Sequence, residues 1–79
     1  MLLPQQLPLS KLKEAINEKI KVKLKDKTAI TGALLSIDQF MNIVLADAVE
    51  LDVEGNEKIR WGEALIRGNN ILWVELLGS

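Results

Sequence analysis

The apolar period of this 79-residue chain switches near Lys19, from spacings of three and four to a spacing of two. From there it is cut into short runs, two of which carry a glycine in their middle. Between Ser10 and Asn17 the residues Leu12, Ala15 and Ile16 follow Leu9 at helical spacing, with Lys and Glu between them, which predicts an amphipathic helix over residues 8–17. Ser10 is the expected N-cap, with Pro8 just upstream. Ile20, Val22 and Leu24 then alternate with Lys19, Lys21, Lys23 and Lys25, a strand with one wet face.

Four more strand-like runs follow. Thr28 to Ile37 comes after a turn at Asp26-Lys27 and contains Gly32; Asn42 to Glu50 comes after the connection Asp38 to Met41. The strongest turn signal, Gly55-Asn56 among acids, separates these from Lys58 to Ile66, which contains Gly62. Arg67-Gly68-Asn69-Asn70 punctuates the chain before the last run, Ile71 to Leu76. A glycine inside a strand marks a bend, a bulge or a close backbone approach. One short helix and five closely spaced strands, two of them bent, predict a mainly β fold: a small, strongly curved antiparallel barrel. The expected organisation is one domain over 1–79, with a tail at 1–7, the helix at 8–17 and the barrel at 19–77. A core this small gains from oligomerisation.

Composition narrows the chemistry. The chain has no His, Cys or Tyr, so Cys/His metal sites, Cys nucleophiles, Ser-His-Asp triads and disulfides are absent. The acid pairs Asp38 with Asp47 and Asp47 with Glu50 have no His or Tyr beside them and read as ordinary solvated acids; a hydrolase built on Asp38 or Ser36 is a formal alternative. No enzyme activity, no cofactor and no metal are expected. No run approaches 18 apolar residues, so no membrane partner is expected and a cytoplasmic setting is. The net charge is -1, which argues against nucleic-acid binding by bulk basicity. It conceals a sorted chain: residues 1–37 hold seven Lys against three acids, and residues 38–79 hold three basic residues against eight acids. The lysines of the first strand read first as a solvated face.

Two connections stand apart. Asp38-x-Phe40-Met41-Asn42 places an aromatic and an amide beside a carboxylate, and Arg67-Gly68-Asn69-Asn70 places a guanidinium beside a glycine and two amides. Recognition of a base on single-stranded RNA requires a surface to stack on, a cation over the other face and an amide for the base edge. The alternative is that Phe40 is core and the asparagines are turn residues.

The two segments resemble the motifs of the Sm/Lsm (Sm-like) family. The longer motif is matched by Val22, Leu24-Lys25, Ile30, Gly32, Leu34, Ser36-Ile37-Asp38, Met41-Asn42-Ile43-Val44-Leu45 and Asp47-Ala48, and the shorter by Leu65 to Ile71. The resemblance covers roughly residues 8–76 and favours an archaeal or eukaryotic type of member, the minimal length pointing to archaeal. It implies a bent five-stranded barrel under a helix, assembled head to tail into a ring of about seven protomers through the fourth and fifth strands. It further implies binding of U-rich single-stranded RNA at the inner rim, as an RNA chaperone or ribonucleoprotein core. Carried over by position, Phe40 stacks on the base, Asn42 reads the uracil edge and Arg67 covers the opposite face. Asp38 supports the loop, and Gly68 lets the backbone approach the base. Two positions depart from the family pattern: Phe40 stands where archaeal relatives often have His, and Asn69 where an acid is common, placing the orientation of Asn42 with an amide. A ring scaffold for protein partners, with weak RNA binding, is the alternative function. Trp61 and Trp73 fall in the expected interface strands and read as packing residues.

Overall fold

The computed structural model describes residues 9–77; the expected tail at 1–7 and the upstream Pro8 lie outside them. It contains a helix α1 (Leu9–Lys13) and six strands: β1 (Lys19–Leu24), β2 (Ala29–Ile37), β3 (Ile43–Leu51), β4 (Glu57–Arg60), β5 (Glu63–Ile66) and β6 (Ile71–Leu76). A single 3-10 turn, Gly68–Asn70, joins β5 to β6.

Regular helix ends at Lys13, and Ser10 lies inside it rather than at its cap. The next residues tighten into three-residue spacing, with the Ala15 and Ile16 N–H groups donating to Leu12 and Lys13. Asn17 then adopts a left-handed backbone, φ 73, and donates its N–H to Leu34 O at 2.7 Å, an ending of the kind Gly and Asn provide. So short a helix is marginal alone; burial of Leu12 and Ala15 holds it on the sheet, Leu12 contributing about 1.5–3 kcal/mol.

The alternation in β1 is borne out, with Ile20 and Val22 fully buried between lysines. With Leu34, Ile43, Leu45 and Val74 they form the centre of the core. The sheet runs β4-β3-β2-β1-β6, and β5 also pairs with β3. Gly32 sits where the register of β2 against β3 shifts, and a Cβ there would lie 2.8 Å from Ala46 O. The glycine therefore marks both a bulge and a close approach.

The expected fourth strand, Lys58 to Ile66, divides at Trp61-Gly62 into β4 and β5. The cause lies in β3, where Asp47 has φ 50 and donates its N–H to Gly62 O, while Trp61 N–H donates to Ala48 O. β3 thus bends and carries β5 on its first half and β4 on its second. Among the described residues β5 and β6 do not pair with each other, so each keeps one free edge.

The three hairpin connections follow one plan. Leu24, Asp38 and Asp52 each donate N–H to the carbonyl four residues on, and each accepts at its own carbonyl from the N–H three residues on. The residue at that third place has positive φ: Lys27 at 75, Met41 at 65 and Gly55 at 90. This is a three-residue loop closed by a left-handed residue, and only the last uses the glycine that such a position favours. Met41 holds its strained backbone in the connection that carries Phe40 and Asn42.

Candidate functional site

The loop joining β2 to β3 is organised by one carboxylate. Asp38 Oδ1 accepts from the N–H groups of Phe40 at 2.8 Å and Asn42 at 3.0 Å, and Asp38 Oδ2 accepts from Asn42 Nδ2 at 3.0 Å. The Asn42 amide donor, followed by the backbone donors, holds the Asp38 carboxyl below the ordinary carboxylate range. Asp52 repeats the pattern toward Glu54 and Asn56 at the other end of β3. This Asp-x-x-x-Asn spacing, present twice, was a sequence signal for the loop geometry.

Asn42 bridges the two connections, because its Oδ1 accepts from the backbone N–H of Gly68 at 2.9 Å. The carboxylate of Asp38 only accepts and the N–H of Gly68 only donates, so the Asn42 amide is held in one orientation. One amide N–H and one oxygen lone pair stay uncommitted. The orienting groups are therefore Asp38 and Gly68, not Asn69. A side chain at Gly68 would overlap the Phe40 carbonyl oxygen and approach Met41 C and Cβ at 3.1 Å. Gly68 is thus required by contact between the two loops.

That contact brings Phe40, Asn42, Arg67 and Asn69 around one depression of about 240 Å³. Phe40 is 70% exposed, which excludes the reading of Phe40 as core. Arg67 is exposed in extended backbone at the start of the 3-10 turn, and among the described residues it is in no ion pair. Asp38 and Gly68 do not line the depression but are hydrogen-bonded to Asn42, which does, so the structure brings all six sequence-predicted residues together. A flat aromatic, a free guanidinium and an oriented amide form a set that can enclose a planar ring with one donor and one acceptor on its edge.

The other candidates lie elsewhere. Glu50 accepts from Trp61 Nε1 at 3.3 Å and lies 3.6 Å from Lys58 Nζ, and Asp47 is exposed at the bend of β3. Trp61 lies between β4 and β5, not within a strand, and is 46% exposed; Trp73 is half-buried on β6 opposite Lys23. Neither lines the depression. Sequence reasoning named Gly68 but not the donor role of its N–H to Asn42, since a backbone donor leaves no mark in side-chain chemistry, and it gave no site role to Met41. Among the described residues no helix is long and apolar enough to cross a membrane.

Comparison with known proteins defines the class. The LSM domain matches residues 10–76. The chain is 44% identical over 66 residues to a probable small nuclear ribonucleoprotein G of Arabidopsis thaliana, covering 84% of this chain and 80% of that protein. It is 38% identical over 78 residues to the LSM complex subunit LSM5 of Saccharomyces cerevisiae, covering 90% and 84%. Among solved structures, the Pyrococcus abyssii Sm protein in complex with a uridine heptamer superposes with TM-score 0.78 at 32% identity, covering 89% and 97%. A heptameric archaeal Sm protein gives TM-score 0.78 at 35% identity, covering 86% and 97%.

The chain belongs to the Sm/Lsm family, and its bent antiparallel sheet under a short helix is the Sm fold. These relatives are eukaryotic and these structures archaeal, so the expected archaeal origin stands as a reading of length alone.

Proposed function

We propose that this protein is an RNA-binding ring that takes U-rich single strands, one base in each Phe40–Asn42–Arg67 site, and serves as an RNA chaperone or ribonucleoprotein core. The observation that carries this is the fixed Asn42 amide. Its free N–H can donate to an acceptor and its free lone pair can accept from a donor, which complements O4 and N3–H of uracil. Cytosine and adenine present the reverse pattern. Turning the amide over to suit them would set Nδ2 against the Gly68 N–H and Oδ1 against Asp38, losing both hydrogen bonds. Phe40 stacks on one face of the base, for about 1–3 kcal/mol, and Arg67 covers the other. Asn69 adds an exposed amide at the rim and Asp38 holds the loop.

Ring assembly is supported by the free edges of β5 and β6 and by the exposed apolar residues on them, Leu65 at 69% and Leu72 and Leu76 less so. Pairing β5 of one copy with β6 of the next removes both edges, and a head-to-tail contact that closes gives a ring. The solved relatives support a size near seven, one being heptameric and another bound to a uridine heptamer. The proposal contains no catalytic step, cofactor or metal, and it places the protein in the cytoplasm.

The scaffold alternative rested on Asn69, and since Asp38 and Gly68 orient Asn42, nothing in the geometry favours it. Native mass spectrometry separates the two readings. The expected spectrum is one closed oligomer whose mass rises by a single oligouridine when RNA is added; a monomer, or a ring indifferent to RNA, contradicts the proposal.

Uridine binding should also be flat with pH around neutrality, because the chain has no His. Asp38 has its folded pKa lowered, so its ordering of the loop is fully present above the unfolded carboxylate value of about 3.9. It is lost as pH falls through the depressed value. Fluorescence anisotropy with oligouridine should give a constant affinity from about pH 5.5 to 8 and a loss only in strong acid.

A further inference from the structure

The uneven distribution of cations has a structural counterpart. Among the described residues the ion pairs are Lys58 with Glu50 and Arg60 with Glu57. In the β1–β2 hairpin Lys21 lies opposite Glu75 and shares a depression with Lys23, Asp52 and Glu54, which leaves Lys25 and Lys27 at the tip as the lysines without such acids beside them. The tip of that hairpin abuts the base site. Lys25 donates its backbone N–H to Asn70 O at 2.9 Å, which ties it to the Gly68–Asn70 turn that supplies Asn69 to the base cavity. A second depression of about 420 Å³, lined by Leu24, Lys25, Asp26 and Asn70, adjoins the same turn.

Asp26 is the one acid there. Its Oδ1 is engaged by Thr28 N–H at 3.0 Å and Thr28 Oγ1 at 2.6 Å. Lys23 Nζ is folded onto Lys27 O at 2.7 Å and Lys23 shares a depression with Asp52 and Glu54, so the cations left to the tip are Lys25 and Lys27, both exposed. Stacking and edge reading leave the charges of the RNA strand unanswered except by Arg67, and unpaired cations beside a base site suit a polyanion that runs past it.

We propose that Lys25 and Lys27 hold the phosphodiester backbone of the RNA next to each bound base, making the depression at Lys25 and Asn70 a sugar-phosphate subsite contiguous with the base cavity. This rests on the base-site reading above. Phosphate contacts position the strand and carry no base information, so the subsite governs affinity and salt dependence while Asn42 governs discrimination.

The test is oligouridine and oligoadenylate binding across a salt series, for wild type, K25Q/K27Q and K19Q. Lys19 removes charge from the same strand at its other end, about 20 Å away. K25Q/K27Q should reduce the slope of log affinity against log salt by about 0.7 for each phosphate that is no longer neutralised and leave the uridine-to-adenosine ratio unchanged, while K19Q keeps the wild-type slope. An unchanged slope in K25Q/K27Q, or an equal reduction in K19Q, overturns the subsite. Failure of the base-site reading has a different signature, no uridine preference in the wild type.

Discussion

Asn42→Ala should abolish the uridine preference while leaving the ring folded. The substitution removes two hydrogen bonds to the uracil edge, about 2 kcal/mol or roughly 30-fold per base. One strand engages several copies of the site, so the effects compound and oligouridine affinity should fall by at least about 100-fold. Oligoadenylate, which the amide does not match, should change by less than about threefold on the same scale. The cost to the fold is about 1 kcal/mol, because the Gly68 N–H loses its acceptor. Asn42→Asp is the companion variant: it keeps the shape but replaces the Nδ2 donor with an oxygen facing Asp38. Binding as weak as in the alanine variant shows that the shape of the side chain does not suffice and that the Nδ2 donor, which serves both Asp38 and the base edge, is required. Fluorescence anisotropy gives the affinities and urea unfolding the stability.

Gly68→Ala is the largest expected perturbation of the fold at the site. The added methyl would meet the Phe40 carbonyl oxygen and Met41 C and Cβ, and the first two of these are backbone atoms that move only with the loop. The two connections must separate, which breaks the bond from Gly68 N–H to Asn42 Oδ1 and opens the cavity. The expected destabilisation is about 3 kcal/mol, with loss of uridine binding. Two other glycines serve as controls. Gly55 has open space around it but φ 90, so Gly55→Ala incurs only backbone strain, about 1–2 kcal/mol. Gly62 has open space and no positive φ, and Gly62→Ala should change stability by less than about 0.5 kcal/mol. Equal stabilities for the three variants would show that loop contact at Gly68 is not what the position requires.

Period and turn chemistry made most of the architecture legible before the structure. The alternation of Ile20, Val22 and Leu24 located β1, and Gly32 announced the bulge where β2 crosses β3. Gly62 marked a bend in the fourth strand, but its full division into β4 and β5 was not legible, because the cause is a left-handed residue in another strand, Asp47. Turn chemistry placed the connections at Asp26-Lys27 and Asp38 to Met41 but not their form, since Lys27 and Met41 take a conformation that glycine would ordinarily mark. At the site, the six residues could be named from their two clusters. What orients Asn42 could not, since one of its two partners is a backbone N–H made available by packing of Gly68 on Phe40. Phe40 was likewise ambiguous until its exposure separated a stacking surface from a core residue.

Selection of uracil by a fixed Asn42 amide is tested most directly by competition binding of wild-type ring with oligouridine, oligocytidine and oligoadenylate of one length at one salt concentration. Oligouridine should bind at least about tenfold tighter than either competitor, since a mismatched edge costs about 1–3 kcal/mol per base. Equal binding of oligouridine and oligocytidine would contradict that selection, because both pyrimidines stack alike on Phe40 and only the orientation of the amide tells them apart.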